Sequence, residues 1–398
     1  MEQYQHKKAP FDSPLPGRLG SNPAAAMLSC LYKAAVNARN FAYDSIPALS
    51  KELGRPVISV GGIRAGGTGK TPVAKLVARH IIDNCGCGVA FLSRGYGRKS
   101  KRAVIVRPQE AADWREVGDE PWMLHSNIPE SWLGIGADRA AVARMLSPLL
   151  PEKTVFVLDD GFQHRKARRG LDIVCLSEGA FGDRMMPAGY LRESISALRR
   201  AGVVLVVGAE ERAAALRETA EAVERKFGIF NCGDSDIIIR NDIVNKEITS
   251  SNDVASRDGL STPQKTPICA VLLQYPDIWV EAKSGETRSE PPIKDPVAVC
   301  GIARPERFLA TLRSLSVSPA EFRAFPDHYN FKRKDLAFGH NIYLEKIVTT
   351  EKDAARLLSP EFADLREVWY LKTGLRFAGR EAEAAVLSKI NSICRTYP

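Results

Sequence analysis

Chemistry first becomes legible at residues 61–75, GGIRAGGTGKTPVAK. A turn of small residues lies between a β-branched run and an amphipathic segment. In such a loop the backbone N–H groups converge on phosphate oxygens, and the helix behind it adds positive potential. The loop comprises Arg64, Ala65, Gly66, Gly67, Thr68, Gly69, Lys70 and Thr71. Lys70 is placed to reach the β- and γ-phosphates of a nucleotide, and Thr71 to offer its hydroxyl to Mg²⁺. Pro72 fits the first helical turn, where its missing N–H costs little. The strict motif puts glycine six positions before the lysine, and that position is Arg64. The plainer alternative is a glycine-rich turn joining two core elements.

Three acidic stretches could complete a site. In TVFVLDDGFQHRKARR a buried-strand pattern ends in Asp159 and Asp160. Open α/β sheets place ligands at that end of a strand, and a carboxylate there can hold Mg²⁺ beside Thr71. A simple Asp-Gly turn is the alternative. EVGDEPW presents Asp119 and Glu120, read as a loop, and FPDHYNF presents Asp327 and His328. Singly each reads as a turn or a cap. Together they suggest a site closed by two domains, with a carboxylate taking a proton from a hydroxyl and an imidazole orienting it.

The elements that must hold these residues alternate. Val57–Val60 predicts a strand, and Val73, Leu76, Val77, His80 and Ile81 one face of a helix ended near Gly86. Further strands are expected at 89–92, 103–106, 155–158, 173–176 and 203–207, with helices around 140–146 and 213–226. This is the rhythm of a mostly parallel sheet covered on both faces. It breaks near 231, where SSNDVASRDGLSTPQK is turn-rich; ICAVLLQY and DIWVEA then read as two strands of a connecting ribbon. From 296 the alternation resumes as a smaller α/β domain. The expected units are a mobile tail at 1–23, an amphipathic helix within 24–50, a P-loop domain at 51–230, a linker at 231–295 and the second domain at 296–398. In the N-terminal helix Leu28, Leu31, Ala35, Ala38 and Phe41 share one face, with Lys33, Asn37, Asn40 and Asp44 opposite. That face either packs on the protein's own core or lies in a membrane interface.

Composition narrows the class. The 398 residues exceed what one core usually serves, and 44% apolar with 26% charged residues is ordinary for a soluble globular protein. The net charge of +9 favours an anionic partner. No apolar run has the length of a membrane span, and the first residues are not a signal peptide. The eight cysteines lack metal-ligand spacing and read as reduced thiols. Basic and aromatic residues are not interleaved as on strand-binding surfaces, so no nucleic acid is expected.

Taken in order, VISVGGIRAGGTGKTP, FLSRGYGRKSK, VGDEPW, GADRAA, LDDGFQHRKARRGLDIV, MMPAGYLRES, VCGIARPERFLATLRSL, FPDHYNF and TTEKDAARL resemble the tetraacyldisaccharide 4'-kinases of lipid A synthesis. That family's loop also lacks the strict first glycine. The resemblance implies a P-loop kinase domain and a smaller C-terminal α/β domain joined by a two-stranded linker. It implies transfer of the ATP γ-phosphate to the 4'-hydroxyl of a tetraacylated glucosamine disaccharide 1-phosphate, giving lipid IVA. It also implies a protein peripheral on the anionic cytoplasmic face of the bacterial inner membrane, docked by its N-terminal helix; a monomer is expected.

Carried over by position, Asp119 is the catalytic base and His328 its partner, with Lys70 and Asp160 also catalytic. Thr71, Glu120 and Asp160 serve Mg²⁺; Gln163, His164, Arg139 and Asp159 meet the substrate. Tyr190 in PAGYLRE departs from the family pattern, and residues 231–266 match it poorly. Rival readings are a P-loop kinase with another acceptor and a regulatory P-loop ATPase.

Overall fold

The computed structural model describes residues 22–98, 100–228, 267–338, 342–343 and 346–396. The tail expected at 1–23 lies almost wholly outside the described residues, and the poorly matching segment from 231 to 266 lies entirely outside them.

The strands are β1 (Val57–Gly61), β2 (Gly88–Ser93), β3 (Val104–Val106), β4 (Trp132–Ile135), β5 (Thr154–Asp159), β6 (Leu171–Leu176), β7 (Val203–Ala209) and β8 (Ile268–Glu281). Then come β9 (Thr287–Arg288), β10 (Val297–Cys300), β11 (Glu321–Ala324), β12 (Ala337–Phe338), β13 (Ile342–Tyr343), β14 (Lys346–Thr350) and β15 (Glu367–Phe377). The α-helices are α1 (Pro23–Ser45), α2 (Lys70–Cys85), α3 (Trp114–Val117), α4 (Asp119–Asn127), α5 (Arg139–Leu146), α6 (Ala213–Phe227), α7 (Pro305–Ser314), α8 (Glu351–Leu357) and α9 (Arg380–Cys394).

One sheet runs β11-β10-β14-β15-β8-β7-β6-β1-β5-β2-β4-β3, with β9 on β8. Its pairings are parallel except β8 with β15 and β9, and β3 with β4. β1, VISVG, is buried along its whole length, because helices cover both faces of a parallel sheet. β1 lies between β6 and β5, so the loop after β1 and the acidic pair after β5 emerge side by side.

The expected ribbon is not two short strands read from ICAVLLQY and DIWVEA. These form the single strand β8, which pairs in parallel with β7 through its first half and antiparallel with β15 along most of its length. β8 and β15 thus carry the sheet from the larger lobe into the smaller one. The smaller lobe has its own core around Trp279, Cys300, Leu312 and Trp369. The closing helix α9 returns to the larger lobe, where Ala382, Val386 and Ile390 share a core with α2.

α1 forms where the periodicity places it, but its expected apolar face is the outer one. Leu28, Leu31 and Phe41 are 50%, 60% and 72% exposed. The covered residues are Ala25, Ser29 and Val36. Two residues assigned to the opposite, polar face bind the rest of the protein: Asn40 donates to Glu193 at 2.6 Å and Asp44, still exposed, accepts from Arg165 at 2.5 Å.

Candidate active site

The loop after β1 leads into α2, whose first residue is Lys70. Gly69 has φ +77°, and a Cβ there would stand 2.6 Å from Val207, so the tight entry into the helix demands glycine. The Lys70 ammonium lies 3.9 Å from Asp160. Thr71 is buried in the first turn beside it. Arg64 and Ala65, expected on the nucleotide, are engaged elsewhere. The Arg64 guanidinium pairs with Asp183 at 2.7 Å and covers the Tyr190 ring, and the Ala65 N–H donates to the Tyr190 carbonyl. Tyr190, the departure from the family pattern, therefore buttresses the loop.

At the end of β5, Asp159 accepts from Ser93 at 3.2 Å, while its other oxygen is buried without a partner. Burial, with the charges of Glu120 and Asp160, pushes its carboxyl up to about 7. Asp160 has φ +47°, a left-handed conformation of the kind found at functional sites. Burial alone would raise its carboxyl; Lys70 and Arg192, the latter at 2.6 Å, outweigh that and hold it below the ordinary range. Its Oδ1 also lacks a hydrogen-bond partner. Three carboxyl groups crowded here, two with unpartnered buried oxygens, suit a cation. Among the described residues no three His, Cys, Asp or Glu side chains form a metal cage. Mg²⁺ in phosphotransfer sites takes one or two carboxylates and completes its shell with phosphate oxygens and water, so the donor set fits.

The burial of Asp159, with like charges beside it, has a price in stability. A raised carboxyl costs the native state increasingly as pH rises from the ordinary carboxylate range to about 7, and the cost is constant above that. Asp159→Asn is therefore expected to raise the melting temperature of the ligand-free protein, more at pH 8 than at pH 5. The gain at pH 8 is a few kcal/mol in order of magnitude. Thermal unfolding at the two pH values checks this; equal or lower stability at pH 8 would contradict it.

Arg139 begins α5 beneath this cluster and is buried, its guanidinium donating to the Ala137 carbonyl at 3.0 Å. Burial and the nearby Arg94 charge lower it to about 10. Burial and Arg139 lower His164 to about 4, so its imidazole is neutral at physiological pH. Gln163 is held by Gly62 and Glu193, with its own carbonyl oxygen buried and unpartnered. These residues form a polar wall, cationic at Arg139, next to the acidic pair.

Asp119 is not in a loop: it opens α4 directly after Gly118, whose φ of +97° breaks α3 from α4. Asp119 is buried. His328, from the smaller lobe and also left-handed at φ +59°, places Nδ1 2.9 Å from Asp119 Oδ2. Two residues far apart in the chain are thereby brought together, as the paired motifs predicted. Arg356 also donates to Asp119 Oδ2, and Glu120 N–H donates to Oδ1 at 2.9 Å. Lys352 lies 3.1 Å from His328 Nε2 and from Asp327, and 3.6 Å from Glu120. Burial alone would raise the Asp119 carboxyl; the His328 hydrogen bond and the Lys352 and Arg356 charges hold it well below the usual range.

Lys352, Asp353 and Arg356 received no role from sequence, although they stand in TTEKDAARL. The available signal was a capping box: Thr350 accepts from Asp353 N–H at 3.2 Å, which starts α8. Arg192, the partner of Asp160, was likewise passed over.

A glycine loop with lysine at a helix start, carboxylates on the next strand and an Asp–His pair closing from a second lobe define a P-loop phosphotransferase on a mostly parallel α/β sheet. A family model for tetraacyldisaccharide-1-P 4'-kinase matches residues 22–391, and the chain belongs to that family. It is 35% identical over 358 residues to a tetraacyldisaccharide 4'-kinase of Syntrophus aciditrophicus, covering 86% of this chain and 87% of the relative. It is 32% identical to one of Aquifex aeolicus, covering 83% of this chain and 88% of the relative. The crystal structure of Aquifex aeolicus LpxK in complex with ATP superposes with a TM-score of 0.66 at 27% identity, over 95% of this chain and 99% of that one.

Proposed function

We propose that the protein transfers the γ-phosphoryl group of ATP to the 4'-hydroxyl of a tetraacylated glucosamine disaccharide 1-phosphate, forming lipid IVA. The observation that carries the reading is the Asp119–His328 contact at 2.9 Å, made between two lobes in a chain of this family that also carries the Lys70 loop. Incubation with labelled ATP and the disaccharide 1-phosphate, followed by chromatography, tests it. A labelled lipid is expected; slow ATP hydrolysis without a phosphorylated lipid would favour a regulatory ATPase.

In this mechanism the loop amides and Lys70 hold the triphosphate and offset charge as the γ-phosphoryl group departs. Thr71, Glu120 and Asp160 would hold Mg²⁺, which when bound neutralises the phosphate oxygens. Asp119 is far less basic than an alkoxide, so it does not strip the alcohol in advance. It receives the proton as the new O–P bond forms, in keeping with a loose transition state. Arg139, His164, Gln163 and Asp159 orient the disaccharide and its phosphate. The contact between lobes excludes water from the transfer.

No helix among the described residues is long and apolar enough to cross a membrane. The outer face of α1 supports peripheral docking instead, on the anionic cytoplasmic face of the bacterial inner membrane. Met27, Leu28, Leu31 and Phe41 are all at least half exposed there. Burying a Leu or Phe side chain contributes about 1.5–3 kcal/mol. Leu31→Glu with Phe41→Glu is therefore expected to weaken binding to anionic phospholipid vesicles by about 10- to 100-fold or more while ATP affinity stays unchanged. Vesicle co-sedimentation checks this; undiminished binding would remove α1 as the anchor.

A further inference from the structure

We propose that Arg356 is the positioning residue of the proton-accepting carboxylate, a role that rests on the kinase reading above. Arg356 is 2% exposed, in the short helix α8 of the smaller lobe. One guanidinium nitrogen donates to Asp119 Oδ2 across the lobe boundary, and the other donates to Asp353 Oδ1 at 2.7 Å. The same second nitrogen also reaches the Gly301 and Tyr329 carbonyls at 3.4 and 3.3 Å.

Asp353 is itself fixed. It has no solvent exposure, and its Oδ2 accepts from Gly301 N–H at 2.9 Å and from the Thr350 hydroxyl at 2.6 Å. Burial raises the Asp353 carboxyl, while the Arg356 charge, the Thr350 hydroxyl and the Gly301 N–H act against that and favour the ionised form. The rigid guanidinium fork therefore lies between two buried carboxylates, one from each lobe.

Two consequences follow from this placement. Asp353 balances the Arg356 charge, so Arg356 can orient Asp119 without adding the full attraction of a lone cation that would weaken its basicity. Asp119 Oδ2 is taken up by His328 and Arg356, whereas among the described residues Oδ1 accepts only the Glu120 N–H. The proton of the sugar hydroxyl accordingly goes to Oδ1. Because Asp119 opens α4 and Arg356 belongs to α8, the carboxylate is oriented only when the lobes are together. Asn127, at the far end of α4, ties the same helices by donating to Glu351 at 2.6 Å.

A double-mutant cycle tests the role. Removing Arg356 alone would strand the Asp353 charge, so the change is Arg356→Met with Asp353→Asn, a neutral pair for a neutral pair. In the wild-type background kcat is expected to fall about 10- to 100-fold, the scale typical of supporting contacts, with the ATP KM within about threefold. Arg356→Lys should restore part of the loss. In an Asp119→Asn background the paired change should cost less than about threefold, because no carboxylate remains to orient. Equal losses in both backgrounds, or a raised ATP KM with unchanged kcat, would overturn the proposal. If the wild-type protein phosphorylates no disaccharide, the kinase reading fails separately. The same four proteins are then compared by thermal unfolding, where additive shifts would refute the Arg356–Asp119 contact and non-additive shifts would uphold it.

Discussion

Lys70→Ala is expected to lower phosphorylation of the disaccharide by at least about 10³-fold while leaving the protein folded. Removing one neutral hydrogen-bond donor from a developing charge already costs about 10²–10³-fold, and Lys70 brings a full charge to the triphosphate. The fold should survive because Lys70 is absent from the apolar core, and its ion pair is replaceable. Its 3.9 Å approach to Asp160 is long, and Asp160 keeps Arg192 at 2.6 Å. Loss of Lys70 should nevertheless move the Asp160 carboxyl upward, since Lys70 is the foremost charge holding it down. Lys70→Arg is not expected to rescue, because a planar fork does not replace a compact ammonium. The wall behind the loop is also close, with Val207 packed against Gly69. Initial rates with labelled ATP, beside a melting curve, check both halves. A variant that folds and keeps a tenth of the wild-type rate would mean that the triphosphate is held elsewhere.

The parts legible from sequence were those set by local rules. β1, the glycine loop and α2 follow from a β-branched run, φ-permissive residues and helical spacing, and they stand as expected. β8 differs from the expected two strands at Pro276, which interrupts QYPD and looks like a break. In the fold Pro276 faces Thr373 beside a register shift in β15, where the ladder can spare its N–H. Gly118 and Pro121 flank Asp119 and make the stretch look like a loop. Yet Pro121 sits in the first turn of α4, a position that proline tolerates. Periodicity found α1 but could not say which face was covered. That depends on Glu193 and Arg165, more than a hundred residues away. Arg356 was invisible for the same reason, since its partner lies 237 residues off. His328 could be paired with Asp119 only because each stood in a motif with its own chemistry.

Asp119→Asn carries the second large effect, and its two readouts separate catalysis from folding. Asparagine keeps the shape and one carbonyl acceptor but cannot take the hydroxyl proton, so kcat should fall about 10²–10⁴-fold, the range for positioned general bases. ATP affinity should change little, because Asp119 faces His328 and Arg356 rather than the Lys70 loop. The substitution also strips a buried counter-charge from Arg356 and from Lys352, 3.9 Å away. Breaking such a buried pair costs on the order of 3–5 kcal/mol, and the two neighbouring contacts of the carboxylate place Asp119 in that class. The sign with pH is fixed. The native carboxyl is held below its unfolded value, so its contribution is present above the ordinary carboxylate range and is lost as pH falls through and below it. The stability gap between wild type and variant should thus be widest near neutrality and narrow below about pH 4. A gap that stays constant down to pH 3 would show that the Asp119 charge is not what binds the lobes. An unchanged kcat, with chemistry limiting, would take the proton acceptor away from Asp119.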